Sequence, residues 1–514
     1  MDSDERSAAL LATAPIPNPS PKKKPTPKRF VKSQIPDSLL SDPALNAAIA
    51  VLPRNYDFEI HKTLHRIATS SARHVALQLP DGLLMYSLAI ADIIRTFSPH
   101  PVDISVLGDP TYGACCVDDL AASALSAGLL VHYGHSCLVP VTTSRLPALY
   151  VFVDISIDVP RLVSAVKSTF SPSSRLALAG TVQFVSAVHA ARSVLSDDGY
   201  DITVPQAKPL SAGEVLGCTA PTIPKSKGIE AVVFVADGRF HLEAFMIANP
   251  GIKAFRYDPF LGVLVLEKYD HGGMKKARKD AILEAKKAKN WGVILGTLGR
   301  QGNTKVLDRV TGMMEERDMD YTVVLMSEIS PARIALFADS VDAWVQIACP
   351  RLSIDWGEGF KKPLLTTFEF EIALGLIPGW WERRRTLESK NSDCDEAVRK
   401  EGCLGSGGCG SGSCGRSCDC DEKTDYPMDY YAQEGGDWNS SYAKKKASNG
   451  AMRRDSGVAA GPRNTQLELM VLQTSAELGK VARSQCMGFL LLIKVKFVGS
   501  SDDATNLPRF SKTS

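Results

Sequence analysis

The chain has 514 residues, 44% hydrophobic and 23% charged, which excludes disorder throughout and leaves room for two to four domains at ~150 residues each. Its 59 Lys and Arg stand against 57 Asp and Glu, a net charge of +2, so no global field draws it onto nucleic acid or an anionic membrane. The longest apolar run near the C-terminus, 486–493, falls far short of the ~20 residues that span a bilayer.

Residues 1–11 lack the basic start and apolar core of a secretory signal, and a cytoplasmic protein is expected. Residues 1–34 hold six prolines and a run of Lys and Arg with no acid after Arg6; they are expected to form a disordered basic tail. Over 52–375, short β-rich apolar runs alternate with amphipathic stretches of helical length, the pattern of an α/β fold with parallel sheets. Strands are expected at 74–79, 102–107, 149–153, 175–179, 231–235, 262–266, 291–295, 321–325 and 341–347, and helices at 83–96, 160–170, 183–195 and 275–289. These strands exceed the five or six of one doubly wound unit. Turns near 171–174 and 290 divide the core into three units, 35–170, 171–290 and 291–388. A Gly/Ser/Cys-rich insertion is expected at 389–425, a further motif at 426–447 and a variable tail at 448–514, with one amphipathic candidate at 466–481.

Twelve cysteines are spread unevenly: Cys115, Cys116, Cys137, Cys218 and Cys349 are scattered, six lie between Cys394 and Cys420, and Cys486 stands alone. In a reducing compartment disulfides are a poor explanation. Cys115 follows the strand 102–107, Cys218 lies in Leu216-Gly217-Cys218-Thr219-Ala220-Pro221, and Cys349 ends the strand 341–347. Ligands collect beyond the carboxyl ends of such strands. The three lie 103 and 131 residues apart, close to one per unit. Three thiolates suit a four-iron cluster with one open iron; zinc with a bound water meets the same count. Plain burial is the bland alternative, although Gly- and Pro-flanked turns give packing a weaker motive. Cys115 and Cys116 compete, because neighbours in extended chain point to opposite sides.

Other signals are weaker. His132, His135 and Cys137 lack a partner pair for zinc and read as loop or structural residues. The run Gly296 to Gly302 follows a strand and could meet an anion through its N–H groups, or be a tight turn. Ser330 and Pro331 suit a helix start. The lysines at 275, 276, 279, 286, 287 and 289 read as a solvated face. Cys409, Cys414, Cys418 and Cys420 approach the three-cysteine loop of ordinary radical S-adenosylmethionine enzymes but miss it, because position 421 is Asp.

Longer motifs carry a resemblance. Leu52-Pro53-Arg54-Asn55-Tyr56-Asp57-Phe58, Gln78-Leu79-Pro80-Asp81-Gly82, Gly108-Asp109-Pro110-Thr111-Tyr112-Gly113-Ala114-Cys115-Cys116, His135-Ser136-Cys137, Gly299-Arg300-Gln301-Gly302, Ala348-Cys349-Pro350-Arg351 and Tyr426-Pro427-Met428-Asp429-Tyr430-Tyr431 resemble the diphthamide biosynthesis family. The resemblance covers about 30–445. It implies three similar Rossmann-like domains in a pseudo-threefold arrangement, each giving one cysteine, Cys115, Cys218 and Cys349, to a [4Fe-4S] cluster. Cys115 is preferred to Cys116 because relatives keep the cysteine directly after Tyr-Gly-Ala. The implied reaction transfers the 3-amino-3-carboxypropyl group of S-adenosylmethionine to C2 of a histidine in elongation factor 2. The implied partners are a homologous second subunit in a heterodimer and a small iron protein as electron donor, with no membrane and no direct nucleic acid. Arg300, Gln301 and Arg351 are expected to position the methionine carboxylate or the target loop. No further catalytic residue is expected, since the cofactor does the hard chemistry.

Overall fold

Three sets of aliphatic strands, each buried beneath amphipathic helices, give the computed structural model its frame. It describes residues 35–337, 339–382 and 426–442, with two short strands beyond them, Glu468–Met470 and Leu491–Lys494. The expected tail at 1–34 and the insertion at 389–425 lie outside the described residues.

The first sheet holds His74–Gln78, Asp103–Val106, Leu129–Tyr133 and Ala148–Val151, all parallel. The second holds Arg175–Gly180, Asp201–Thr203, Ala231–Val235 and Lys253–Asp258 in parallel, with Val263–Glu267 antiparallel at its edge. The third holds Asn290–Gly296, Asp320–Met326, Ala343–Ile347 and Leu364–Leu365 in parallel, and Leu491–Lys494 and Glu468–Met470 extend it antiparallel. In all three the first strand in the chain lies between the second and the third, and the fourth lies outside the third. That is the order of a doubly wound α/β sheet, and the expected α/β class with parallel sheets is met.

The central strands are mostly apolar because helices must cover both faces of a parallel sheet; Ala231–Val235 is buried along its whole length. Helix Ile60–Ser70 turns Ile60, Thr63, Leu64 and Ile67 inward, the spacing of one helical face. Helix Val159–Thr169 buries Leu162, Val163 and Val166 in a core shared with Leu176, Leu178 and Val233 of the second sheet. Helix His271–Ala285 is tied to the third unit by Arg278, whose buried guanidinium grips Glu369 at 2.7 and 2.8 Å.

Both helices precede the cuts expected at 171 and 291, and each packs with the sheet that follows it. Each unit opens with a helix that packs on its own sheet, so the Ser-Pro-Ser-Ser turn is a helix-to-strand connection rather than a linker. The helix expected at 83–96 is two, Asp81–Leu84 and Ser87–Phe97, broken at Met85 and Tyr86. Strand Leu129–Tyr133 was hidden by the polar His132 within it. Within the amphipathic candidate 466–481, the described part is a strand, Glu468–Met470. Ser330 stands at the helix start with Pro331, but its hydroxyl makes no cap. Among the described residues no helix is long and apolar enough to cross a membrane.

Candidate functional site

Each scattered cysteine sits in a turn that its neighbours hold closed. Ala114–Cys116 is one turn of 3-10 helix, closed by Cys116 N donating to Gly113 O at 2.9 Å. Gln78, the last residue of its strand, donates to Cys116 O at 2.8 Å and accepts from Asp118 N at 3.0 Å. Around Cys218, Leu216 and Thr219 exchange backbone hydrogen bonds at 3.0 and 3.2 Å. Beyond Ala343–Ile347, the Gln346 amide donates to Cys349 O at 2.9 Å and to the Ser353 hydroxyl at 3.1 Å.

The expectation that only one of Cys115 and Cys116 faces the site rested on extended chain. In the 3-10 turn the two thiols touch, Cys115 donating to Cys116. This hydrogen bond, burial and the nearby thiols of Cys116, Cys218 and Cys349 hold Cys115 well above the ordinary thiol range. Burial, then Cys349, pushes Cys218 up to about 12, and burial raises Cys349 to about 11. Cys116 moves the other way, because it accepts from Cys115, from backbone N–H groups and from the Gln301 amide at 3.5 Å. Thus Cys115, Cys218 and Cys349, distant in sequence, are brought within electrostatic reach of one another. Among the described residues no three side chains of His, Cys, Asp and Glu close on a single ion.

A roof comes from residues 426–442. Ala220 N donates to Met428 O at 2.8 Å, Tyr430 N to Cys218 O at 3.3 Å and Tyr431 N to the Thr219 hydroxyl at 3.1 Å. The buried Tyr431 hydroxyl donates to Gln301 O at 3.3 Å. Burial, followed by Cys115, Cys218 and Cys349, drives its ionisation well above the usual phenol range, so this one phenol lies within electrostatic reach of all three thiols. The Tyr430-Tyr431 pair stands in the sequence only as part of a motif without an assigned role. Its return as a motif after a low-complexity insertion was the available signal.

Arg300, Gln301 and Arg351 are also at the site, engaged by the protein itself. Arg300 N donates to Cys115 O at 2.9 Å, while Nε and Nη2 grip Asp119 at 2.7 Å each. Arg351 is fully buried: Nε donates to Asp355 at 2.8 Å, Nη2 to Glu243 at 2.6 Å, and Nη1 to Phe240 O at 2.7 Å and Gly217 O at 3.3 Å. Its guanidinium lies 4.3 Å over the Phe240 ring. The third unit thus braces the Cys115 loop with one arginine and the Cys218 loop with the other.

Gly299 explains the glycine-rich run. At φ 56° it lies so close to the first unit that a Cβ would stand 2.3 Å from Cys116 O. The run serves close approach between units. His132 belongs to a strand and not a loop, and its Nδ1 pairs with Gln78 Oε1 at 2.8 Å. Cys394 to Cys420 lie outside the described residues.

The family model for diphthamide synthesis proteins matches residues 79–385. Among curated relatives, the 2-(3-amino-3-carboxypropyl)histidine synthase subunit 1 of Bos taurus is 52% identical over 350 residues, 68% of this chain and 78% of that one. The protein of the same name from Homo sapiens is equally similar over the same extent, and that of Aspergillus fumigatus is 43% identical over 432 residues, 84% of this chain and 86% of that one. Among solved structures, Dph2 from Pyrococcus horikoshii, crystallised with a 4Fe-4S cluster, aligns with a TM-score of 0.53 at 22% identity over 63% of this chain and 92% of that one, a likeness of fold. The chain belongs to the diphthamide synthesis protein family and is an enzyme of the transferase class.

Proposed function

We propose that this chain is the catalytic subunit that transfers the 3-amino-3-carboxypropyl group from S-adenosylmethionine to C2 of a histidine in elongation factor 2. This is the first step of diphthamide biosynthesis, carried out in the cytoplasm with a homologous second subunit and a small iron protein as electron donor. Cys115, Cys218 and Cys349 are the ligands of a [4Fe-4S] cluster, and their three units surround it with pseudo-threefold symmetry.

The observation that carries this reading is the mutual electrostatic reach of three thiols from three units. The donor set fits the group. Its members do not close on one ion among the described residues, and cluster thiolates do not need to, because each bonds a different iron. When bound, a cluster with one open iron would supply the electron that breaks the bond between the sulfonium sulfur and the aminocarboxypropyl carbon, leaving methylthioadenosine.

The chain's own residues hold and shield the site. Gln78, Thr219 and Gln346 fix the three turns. Tyr431 and Tyr442 cover the thiols, Tyr442 donating to Arg300 O at 2.8 Å. Arg300 and Arg351 brace the loops through Asp119, Asp355 and Glu243, and with Gln301 they are the residues assigned to position the methionine carboxylate or the target loop. Protonated thiols in a buried site must release protons as metal loads.

Iron and sulfide analysis after anaerobic purification tests the ligand set. Cys115→Ala, Cys218→Ala and Cys349→Ala are expected to lose most of the iron and Cys116→Ala to keep it. Retention in Cys115→Ala with loss in Cys116→Ala would reverse that assignment, and retention in all four would refute the site.

A further inference from the structure

We infer that the edge strand Val263–Glu267 docks a second chain of the same fold by edge-to-edge strand pairing. The inference rests on the reading of this protein as one subunit of a pair, and it names the surface that makes the pair.

Val263–Glu267 is the outermost strand of the second sheet, and among the described residues only Lys253–Asp258 pairs with it. Its far edge offers backbone N–H and C=O groups to any extended chain. Folded monomers blunt such edges with charge, proline, a bulge or a very short strand. Charge enters this strand only at its last residue, Glu267, which Arg256 and Arg239 hold, and neither a proline nor a bulge lies within it. Residues 260–266 read Phe-Leu-Gly-Val-Leu-Val-Leu without a charge. Pro259 precedes the strand, and the register from Ala254↔Glu267 to Asp258↔Val263 runs unbroken. The opposite edge of the same sheet, Asp201–Thr203, is three residues long and opens with an acid.

The side chains add to this. Phe260, Leu261, Val263, Val265 and Leu266 are each 40–64% exposed, five large apolar residues within seven positions. Alternation places Val263 and Val265 on one face and Leu264 and Leu266 on the other, so apolar groups flank the open edge above and below. Such a patch marks an interaction surface.

The hairpin is also held in shape. Asp258 Oδ1 accepts from Phe260 N and Leu261 N at 3.0 Å each, and Arg161 donates to Leu261 O at 2.8 Å. Arg256 Nε donates to Glu267 at 2.9 Å, and the Phe260 ring meets Phe184 edge to face at 6.4 Å. A preorganised edge loses little freedom on binding.

The occupant follows from the geometry. The edge calls for an extended, apolar strand whose own edge is open, and a chain built on the same sheet order would offer such a hairpin. Antiparallel pairing of two such edges across a twofold axis closes both, leaving none free. A single extended peptide from the protein substrate would satisfy the backbone but leave its own far edge unpaired.

The test uses the full chain alone and with its homologous second subunit, comparing wild type with the double variant Val265→Lys, Leu266→Lys. Sedimentation gives the assembly, amide hydrogen exchange follows residues 260–267, and thermal unfolding of the lone chain checks the fold. The wild-type amides of 260–267 are expected to gain protection on pairing. The variant is expected to unfold at the same temperature alone and to pair at least ~100-fold more weakly, because two lysines would be buried without partners. Undiminished pairing by the variant, or unchanged exchange at 260–267 on pairing, overturns the docking strand and leaves the two-subunit reading standing. A wild-type chain that pairs with no second subunit overturns both. Protection that appears only with elongation factor 2 assigns the edge to the protein substrate, and protection already full in the lone monomer shows that the chain covers its own edge; either result overturns the proposal.

Discussion

Burial decides the ionisation of Glu214. Its carboxylate accepts from the Ser136 hydroxyl and from Ser211 N, yet the loss of water dominates and lifts it to about 7 from an ordinary 4.5. A carboxyl raised in the fold contributes stability that is full below about pH 4.5 and is lost as the pH rises through about 7. Glu214→Gln removes this dependence. The unfolding free energy of wild type relative to the variant is expected to fall by about 2–3 kcal/mol between pH 4.5 and 7.5, measured by urea denaturation; a flat difference would contradict it. His135 and His241, lowered by burial to about 4, act with the opposite sign, losing stability as the pH falls from 6.5 through 4, and they cancel in the comparison. Arg351→Met leaves Asp355 without its guanidinium and Glu243 with Arg239 alone, and is expected to cost about 3 kcal/mol on the same measurement. At this scale the sequence exposed the three cysteines through their spacing. It could not separate Cys115 from Cys116, because the choice depends on a 3-10 turn that the residues alone do not announce. Tyr431 was unreadable for a different reason: its contacts reach back across more than eighty residues to Gln301 and the thiols.

Among the elements, the loop after Asn290–Gly296 carries the tightest constraint. Gly299 lies against Cys116 O, where a side chain has no room and the backbone is left-handed. Gly299→Ala is expected to push the Cys115 turn away from the third unit and to lower iron per chain at least severalfold, with the far-ultraviolet spectrum unchanged; normal iron content would show that the close approach is not needed. The same comparison shows where periodicity misled. Strands 231–235, 291–295 and 321–325 were legible because their apolar runs are unbroken, whereas Leu129–Tyr133 contains His132, buried with its Nδ1 on Gln78. The helices preceding the second and third sheets are legible as amphipathic stretches, but not the sheet each packs against. An amphipathic face says that a helix is buried, not against which sheet.

Across the whole molecule, three sheets of one strand order place three short turns together, and residues 426–442 return from beyond the insertion to cover them. The α/β class with parallel sheets was readable from strands alternating with helices, since that alternation is local. The roof and the two arginine braces were not, because they join units through contacts more than a hundred residues apart. The chemistry proposed for this arrangement makes one product diagnostic. Anaerobic reduction of the two-subunit enzyme with S-adenosylmethionine and elongation factor 2, followed by analysis of the nucleoside released, is expected to give methylthioadenosine in step with modified factor, and neither product from Cys349→Ala. Release of 5′-deoxyadenosine instead, or full modification by Cys349→Ala, would contradict the account.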